Sequence, residues 1–344
     1  MFIINQYRWV QKFIPFLLMA SLLVGKGNAS LRIGFWNVEN LFDEYNDKGV
    51  NDGEFALGGK KEMKPDVMTL KLKNLSEILT KINPDVFGLC EIENNSMLVR
   101  WNQFCDVRNY SIVHYNSPDN RGIDVGLFYD ASKMNVISSK PIPVLLPTGG
   151  KTRDILLVKF ESKGHSFYVF VNHWPSKYGG VEKTIPLRAA AGKTLRMEIE
   201  KILNQDPTAD IIVMGDLNDE PTDPSVNIHL GASMNLSDLG RGKYILWNVM
   251  KKYHRNPEGS TYKYGGKDMV YDHLIVSRGL MDDRGWGLIS NSVTVFDGKK
   301  YRQHGGRYDG FPFRFWAGSR LLGGYSDHMP IFLEIELNLE IDLK

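Results

Sequence analysis

The chain has 344 residues, of which 42% are apolar and 24% charged, with 42 basic side chains against 40 acidic ones and 2 cysteines. These values exclude a disordered chain, a collagen-like rod and a disulfide-stapled mini-protein. Arg8, Lys12 and Lys26, with no acidic residue, fall within residues 1–29. The remainder is therefore slightly acidic, which excludes a globally basic nucleic-acid coat and confines any polyanion site to a local patch.

In chain order, the first feature is an address label. Arg8 and Lys12 precede an apolar run from Phe13 to Gly25, and Gly27 and Ala29 stand at the −3 and −1 positions of a cut before Ser30. This is the layout of a secretory signal peptide. The run is shorter than the roughly 20 residues that span a bilayer. Residues 1–29 are thus expected to be removed, leaving residues 30–344 as one exported domain, periplasmic or extracellular. The less favoured reading is an uncleaved anchor. Export permits a Cys90–Cys105 disulfide, but Cys90 lies in an apolar run where a free buried thiol is common, and two cysteines alone imply no bridge.

Nine short runs rich in Val, Ile, Phe and Tyr read as strands: Leu31–Val38, Asp85–Glu91, Gly122–Tyr129, Ile155–Phe160, Phe167–His173, Asp210–Gly215, Tyr271–Val276, Ser292–Phe296 and Met329–Leu337. Two longer segments read as helices. Val67, Leu70, Leu75, Ile78, Leu79 and Ile82 share one helical face, closed by Asn83-Pro84; Ile185 to Leu203 forms the second, closed by Asp206-Pro207. Strands outnumber helices without strict alternation, which argues against a Rossmann sheet or a (β/α) barrel and for an α/β fold of two packed sheets flanked by helices. Asn46 to Gly59 and Pro141 to Gly150 read as surface loops.

Five strand ends carry polar groups of metal-ligand or acid–base type: Asn37, Glu91, Asn172-His173, Asp216-Leu217-Asn218 and Ser326-Asp327-His328. Taken singly, Asn37 reads as a turn cap, Glu91 as a surface acid as readily as a ligand, and His173 as a satisfied core histidine. Taken together they suggest convergence on one sheet edge. Oxygen ligands without a cysteine cluster suit Mg²⁺, Mn²⁺ or Ca²⁺.

The motifs W-N-V-E-N-L-F (Trp36 to Phe42), L-C-E-I-E (Leu89 to Glu93), R-G-I-D-V-G-L (Arg121 to Leu127), N-H-W-P-S-K (Asn172 to Lys177), G-D-L-N (Gly215 to Asn218), Y-D-H (Tyr271 to His273) and G-Y-S-D-H-M-P (Gly324 to Pro330) occur in this order across almost the whole chain after residue 29. In this the chain resembles the endonuclease/exonuclease/phosphatase superfamily, DNase I-like enzymes that include nucleases, inositol polyphosphate phosphatases and sphingomyelinases. The resemblance implies a four-layer α/β/β/α sandwich of two mainly antiparallel sheets, and a metal-dependent phosphoric ester hydrolase. It further implies Glu91 as the principal Mg²⁺ ligand with Asn37 beside it and Asp327 near the same ion, and Asp216 and Asn218 orienting the attacking water and holding the phosphate. It pairs His173 with Asp124 and His328 with Asp272, one imidazole taking a proton and the other bonding an opposite oxygen. His273 should point to the far face of its strand and is left out. His114, His165, His229 and His254 have no motif around them.

Arg121, Arg188 and Lys177 are candidates for gripping a phosphate, although Arg188 and Lys177 read equally well as ordinary surface charges. Residues Gly298 to Gly324 carry Lys299, Lys300, Arg302, Arg307, Arg314 and Arg320 against one acid, Asp309, interleaved with aromatics including Tyr301, Phe315 and Trp316. Such a segment at the mouth of the site suits a nucleic-acid strand, with Trp316 as a stacking surface, or a phospholipid headgroup, or else it simply packs on the sandwich. The expected activity is a secreted nuclease acting on DNA or RNA. The alternatives are a sphingomyelinase-like phospholipase C, a sugar or inositol phosphate phosphatase, and a binding protein that has lost catalysis.

Overall fold

A computed structural model describes residues 29–254, 256 and 259–338. The expected signal segment lies outside the described residues apart from Ala29. No helix among the described residues is long and apolar enough to cross a membrane.

Two mixed, mainly antiparallel sheets carry the molecule. The first has the spatial order Trp286–Leu288, Ile331–Leu337, Ser30–Leu41, Val86–Ile92, Asp124–Tyr129 and Ser111–His114, with Thr294–Val295 also pairing on Ile331–Leu337. The second runs Asn135–Ile142, Ile155–Ser162, His165–His173, Ile211–Asp216, Asp272–Val276, Leu246–Asn248 and Ala232–Ser233. Each holds a parallel pair near its middle, Ser30–Leu41 beside Val86–Ile92 and His165–His173 beside Ile211–Asp216.

Period-two patterning decides which side chains face which layer. Val169, Val171, Ile212, Met214 and Leu274 join Ile33, Phe35 and Val86 in the core between the sheets. Their neighbours Phe170, Ile211, Val213 and Ile275 face outward onto Leu195 and Ile199 of helix α3, Val181–Gln205. Helix α1, Pro65–Ile82, and helix α2, Asn95–Asn102, cover the first sheet, so that the layers read helix, sheet, sheet, helix. The sheets approach closely at Gly88, where an added Cβ would sit 2.5 Å from Met214 Sδ.

All nine expected strands and both expected helices are present, with shifted ends. The edge strand Asn135–Ile142, which takes in the start of the expected 141–150 loop, and α2 were not anticipated. The α1 face is also rotated from expectation. Met68, Lys71 and Leu72 are buried on it, whereas Leu70 is exposed. Cys90 and Cys105 are both free, and burial pushes the Cys90 thiol well up.

Candidate active site

The strand ends meet where the two sheets share an edge. In the second sheet His173 pairs with Asp216 and Asp216 with Asp272, so three functional side chains stand on one rung. The alternation that sends Val171, Met214 and Leu274 inward sends these three toward the first sheet as well. In the first sheet Asn37 lies opposite Cys90, and Glu91 follows at once.

Four polar residues at these ends, Glu39, Asn40, Glu91 and Asn218, have left-handed backbones with φ of 54°, 54°, 61° and 52°. The first three coincide with bulges between Asn37 and Leu41 and between Cys90 and Ile92, and Asn218 follows the end of its strand. A bulge re-aims a side chain that strict alternation would direct elsewhere. The bulge at Cys90 and Ile92 is what turns the half-buried Glu91 carboxylate from the helix face of its strand toward Asn37.

Asp216 is the hub. Its Oδ2 accepts from Asn37 Nδ2 at 3.1 Å and lies 3.7 Å from His328 Nε2 and 3.8 Å from His173 Nε2. Burial, with Asp272 nearby, raises its carboxyl to about 7, against the pull of His328. His328 Nδ1 bonds Asp272 Oδ2 at 2.7 Å, and Tyr262 stacks on its ring at 4.5 Å. Burial works against a cationic His328, but Asp272 and Asp216 outweigh it and lift the imidazole to about 10. His173 behaves oppositely: burial, together with Arg153 and Arg121, drives it well below the usual histidine range. One ring of the pair thus holds a proton that the other refuses.

Asn37 bridges the sheets, its Nδ2 also 3.5 Å from Glu91 Oε1 while its Oδ1 accepts the Glu39 N–H. It is the amide nitrogen, rather than the oxygen expected of a ligand, that faces the carboxylates. Glu91 Oε2 accepts the Asn40 N–H, and Oε1 lies 3.5 Å from Arg121 Nη2. Burial opposes its charge, yet Arg121, His328 and the Asn40 N–H hold Glu91 below the usual carboxylate range. Asp327 pairs with Arg314 at 2.8 Å. Asn218 donates Nδ2 to the Trp174 carbonyl and its N–H to Asp216 Oδ1.

Asp216, Asp272 and His328 form a buried group whose ligand atoms lie within 4.8 Å of one another, a possible metal site. The donor types fit a hard cation. The ligand atoms are carboxylate oxygens and an imidazole with no thiol among them, Glu91 Oε1 has only contacts at the limit of hydrogen bonding, and Asp272 Oδ1 is buried without a hydrogen-bond partner.

Four expectations are corrected. Asp124 does not back His173. Its carboxylate is taken within its own sheet by His114 Nε2 at 2.9 Å and by the N–H and Oγ of Ser117, and His173 Nδ1 is buried with no partner. Arg188 is fully buried on Asp219 at 2.6 Å, and Lys177 binds Asp219 and Asp223 at 3.0 and 3.3 Å, so these two cations hold the loop after Asn218 rather than facing the site. Trp316 is buried: its backbone N–H and that of Phe315 donate to Glu39, so these two rings pack at the end of the first strand, while Tyr308 of the same segment stays exposed. Arg121, with half its side chain exposed beside Glu91, is the member of that set placed at the centre.

The sequence motifs also passed over a buried charge network. Burial and Asp327 raise Glu39 to about 7, with Lys71 and Arg314 opposing. Lys71, fully buried, donates to the carbonyls of Val38 and Tyr325, and burial lowers it to about 8. Arg153 clamps the carbonyls of His173 and Trp174 while pairing with Asp119 at 3.0 Å. His273 is buried on the far face of its strand, bonded to Asn248 and to the Asp219 carbonyl, as its parity requires.

No curated protein sequence matches the chain. Solved structures share its fold. An endonuclease/exonuclease/phosphatase family protein from Bacteroides thetaiotaomicron is 17% identical with a TM-score of 0.58, covering 91% of this chain and 97% of that one. A mannosyl-6-phosphatase from the same organism is 16% identical with a TM-score of 0.56, covering 90% and 100%. D. rerio TDP2 in complex with a single-strand DNA product is 16% identical with a TM-score of 0.55, covering 90% and 100%. The sequence profile described as Endonuclease/Exonuclease/phosphatase family matches residues 32–337. With that span and its buried cluster of acids and histidines, the chain belongs to the endonuclease/exonuclease/phosphatase family and is a phosphoester hydrolase.

Proposed function

We propose that the chain is an exported, Mg²⁺-dependent phosphodiesterase whose substrate is DNA or RNA. The observation that carries the hydrolytic reading is the meeting of Glu91, Asn37, Asp216, His173 and His328 from separate strands around the single oxygen Asp216 Oδ2 and its neighbour Glu91. Glu91 would hold the cation, with Asp327 and, once its amide turns, Asn37 as further ligands, and the cation would supply Lewis-acid polarisation of the phosphoryl group. The protein's own groups do the rest. Asp216 orients a water and, with its carboxyl raised to about 7, accepts its proton. The water oxygen bonds to phosphorus as the ester P–O bond breaks, and a proton returns to the departing alcohol. His328, kept cationic by Asp272, donates from Nε2 to a non-bridging oxygen where charge accumulates. His173 stays neutral and accepts from the opposite side. Arg121, beside Glu91 and half exposed, bonds the next phosphate of a polymer.

The nucleic-acid assignment is supported by the shared fold with TDP2, whose complex contains a single-strand DNA product, and by exposed Arg121 at the centre. A second reading, a sugar phosphatase, is favoured by the inward packing of Phe315 and Trp316, which removes two rings from any base-stacking surface, and by the likeness to a mannosyl-6-phosphatase. Incubation of residues 30–344 with plasmid DNA, RNA, sphingomyelin and mannose 6-phosphate, with Mg²⁺ and with EDTA, separates them. Mg²⁺-dependent cleavage of DNA or RNA is expected. Release of phosphate from the sugar alone would transfer the assignment to the phosphatase reading, turnover of sphingomyelin alone to a phospholipase, and inertness on all four would remove catalysis.

A further inference from the structure

A second group of acids lies outside this centre. Asp47, Asp52 and Glu93 bring carboxylate oxygens within 4.8 Å of one another. Asp47 is exposed, but Asp52 is 0% and Glu93 5% exposed. Asp52 and Glu93 each keep one oxygen, Oδ1 and Oε1, that is buried and has no hydrogen-bond partner. Their other oxygens are spent on the backbone: Asp52 Oδ2 accepts the Asp47 N–H and Glu93 Oε2 accepts the Asp43 N–H. Among the described residues no lysine, arginine or histidine forms an ion pair with any of the three, although Lys61 and Arg100 nearby pair with Glu54 and Glu44. Buried carboxylates with an oxygen left unbonded and no cationic partner are costly, because burial withdraws the water that would otherwise stabilise them.

We infer that Asp47, Asp52 and Glu93 form a second cation site, specific for Ca²⁺. The chemistry favours Ca²⁺ over Mg²⁺. Three carboxylates, two on an irregular loop and one just past a strand end, suit the 6–8 oxygen ligands and loose geometry of Ca²⁺, whereas Mg²⁺ takes one or two carboxylates and keeps its waters. Asp52 and Glu93, both buried, bring an oxygen into this group and each has an oxygen left without a hydrogen bond. The site joins two parts of the chain that are distant in sequence. Asp47 and Asp52 lie in the loop after the first strand, anchored by the Phe42–Phe55 stack at 4.1 Å and by the Asn51 N–H on the Asn120 carbonyl. Glu93 lies two residues beyond Glu91. A bound ion therefore staples this loop to the strand end that carries the catalytic carboxylate.

The test is ⁴⁵Ca²⁺ equilibrium dialysis of residues 30–344 in excess Mg²⁺, which occupies the catalytic centre, with thermal melting alongside. One Ca²⁺ per chain is expected, with a rise in Tm, and both should persist in Glu91→Gln. Asp52→Asn and Glu93→Gln should lose the bound Ca²⁺. Because those two side chains are buried, exposed Asp47→Asn provides the folding-safe variant, and its Ca²⁺ affinity should fall at least tenfold with an unchanged near-UV spectrum. Absence of Ca²⁺ binding by the wild type, or undiminished affinity in Asp47→Asn, overturns the inference. Loss of binding in Glu91→Gln but not in Asp47→Asn reassigns the ion to the catalytic centre and overturns it equally.

Discussion

Asp272→Asn isolates the charge behind His328. The carboxylate contacts Nδ1 at 2.7 Å in a site where Asp272 is 0% exposed. Burial alone would lower the imidazole, yet it stands at about 10 against an ordinary 6.5. Asp272 is the largest of the groups that raise it, followed by Asp216, so together they overcome burial and still add several units. Each unit corresponds to about 1.4 kcal/mol. Removing the larger of the two charges should therefore lower the imidazole by at least about one pH unit, about 1.4 kcal/mol. The substituted amide can also present its NH₂ to Nδ1 and stabilise the wrong tautomer. We expect kcat on a small chromogenic phosphodiester to fall about 10²- to 10⁴-fold, and the alkaline limb of the pH–rate profile to move at least about one unit toward acid. Imidazole NMR titration of the metal-free protein should show His328 losing its proton at lower pH than in the wild type. A rate within threefold of wild type, or an unmoved His328 titration, would show that Asp272 does not sustain the cation.

Asp124→Asn should behave differently, since Asp124 serves His114 and Ser117. A stability loss of about 1–3 kcal/mol by urea melting is expected with kcat nearly unchanged; a hundredfold loss of kcat at unchanged stability would return Asp124 to His173. Lys71→Met should cost about 1–3 kcal/mol by leaving the Val38 and Tyr325 carbonyls without their buried donor and removing a charge that offsets Glu39, and Glu39→Gln in the same chain should restore part of it. Equal destabilisation of single and double variants would refute the coupling. Asp210, whose carboxyl is raised by burial from 3.8 to about 7, favours the folded state fully below about pH 3.8 and loses that contribution as pH climbs through 7. Asp210→Asn should therefore raise Tm at pH 8 and leave it unchanged near pH 4; a uniform shift at both would contradict this linkage. Glu91→Gln should raise the Mg²⁺ concentration giving half-maximal activity at least about tenfold, and an unchanged Mg²⁺ requirement would place the ion elsewhere.

The strands were legible because each buried run is apolar over its length, and the polar residue that ends it lies at a change of environment that the sequence displays directly. Asn135–Ile142 escaped notice because it is an edge strand, largely exposed, so no burial pattern marks it. Lys71 was in principle readable: it stands four residues from both Val67 and Leu75, within an apolar stripe, where a lysine needs a buried acceptor. The nearby Glu39 could not be read, since alternation places it on the Asn37 face, whereas across the left-handed turn at the bulge it accepts the Phe315 and Trp316 N–H groups. The pairing of Asp124 with His173 rested on resemblance. What decides it is that His114, on the neighbouring strand, reaches the carboxylate first. The aromatics between Tyr301 and Trp316 displayed composition but not direction, and composition does not distinguish a ring that stacks on a base from one that seals a core.

The four left-handed residues at the sheet edge also bear on engineering. Each costs on the order of 1–3 kcal/mol relative to a backbone free to adopt its favoured shape, and glycine would relieve most of that cost. A campaign selecting only for heat resistance would thus be drawn to Glu91 and Asn218 among its easiest gains, and would exchange turnover for durability. Asn40, whose side chain makes no hydrogen bond or ion pair in the centre, is the member of the four at which that exchange can be refused.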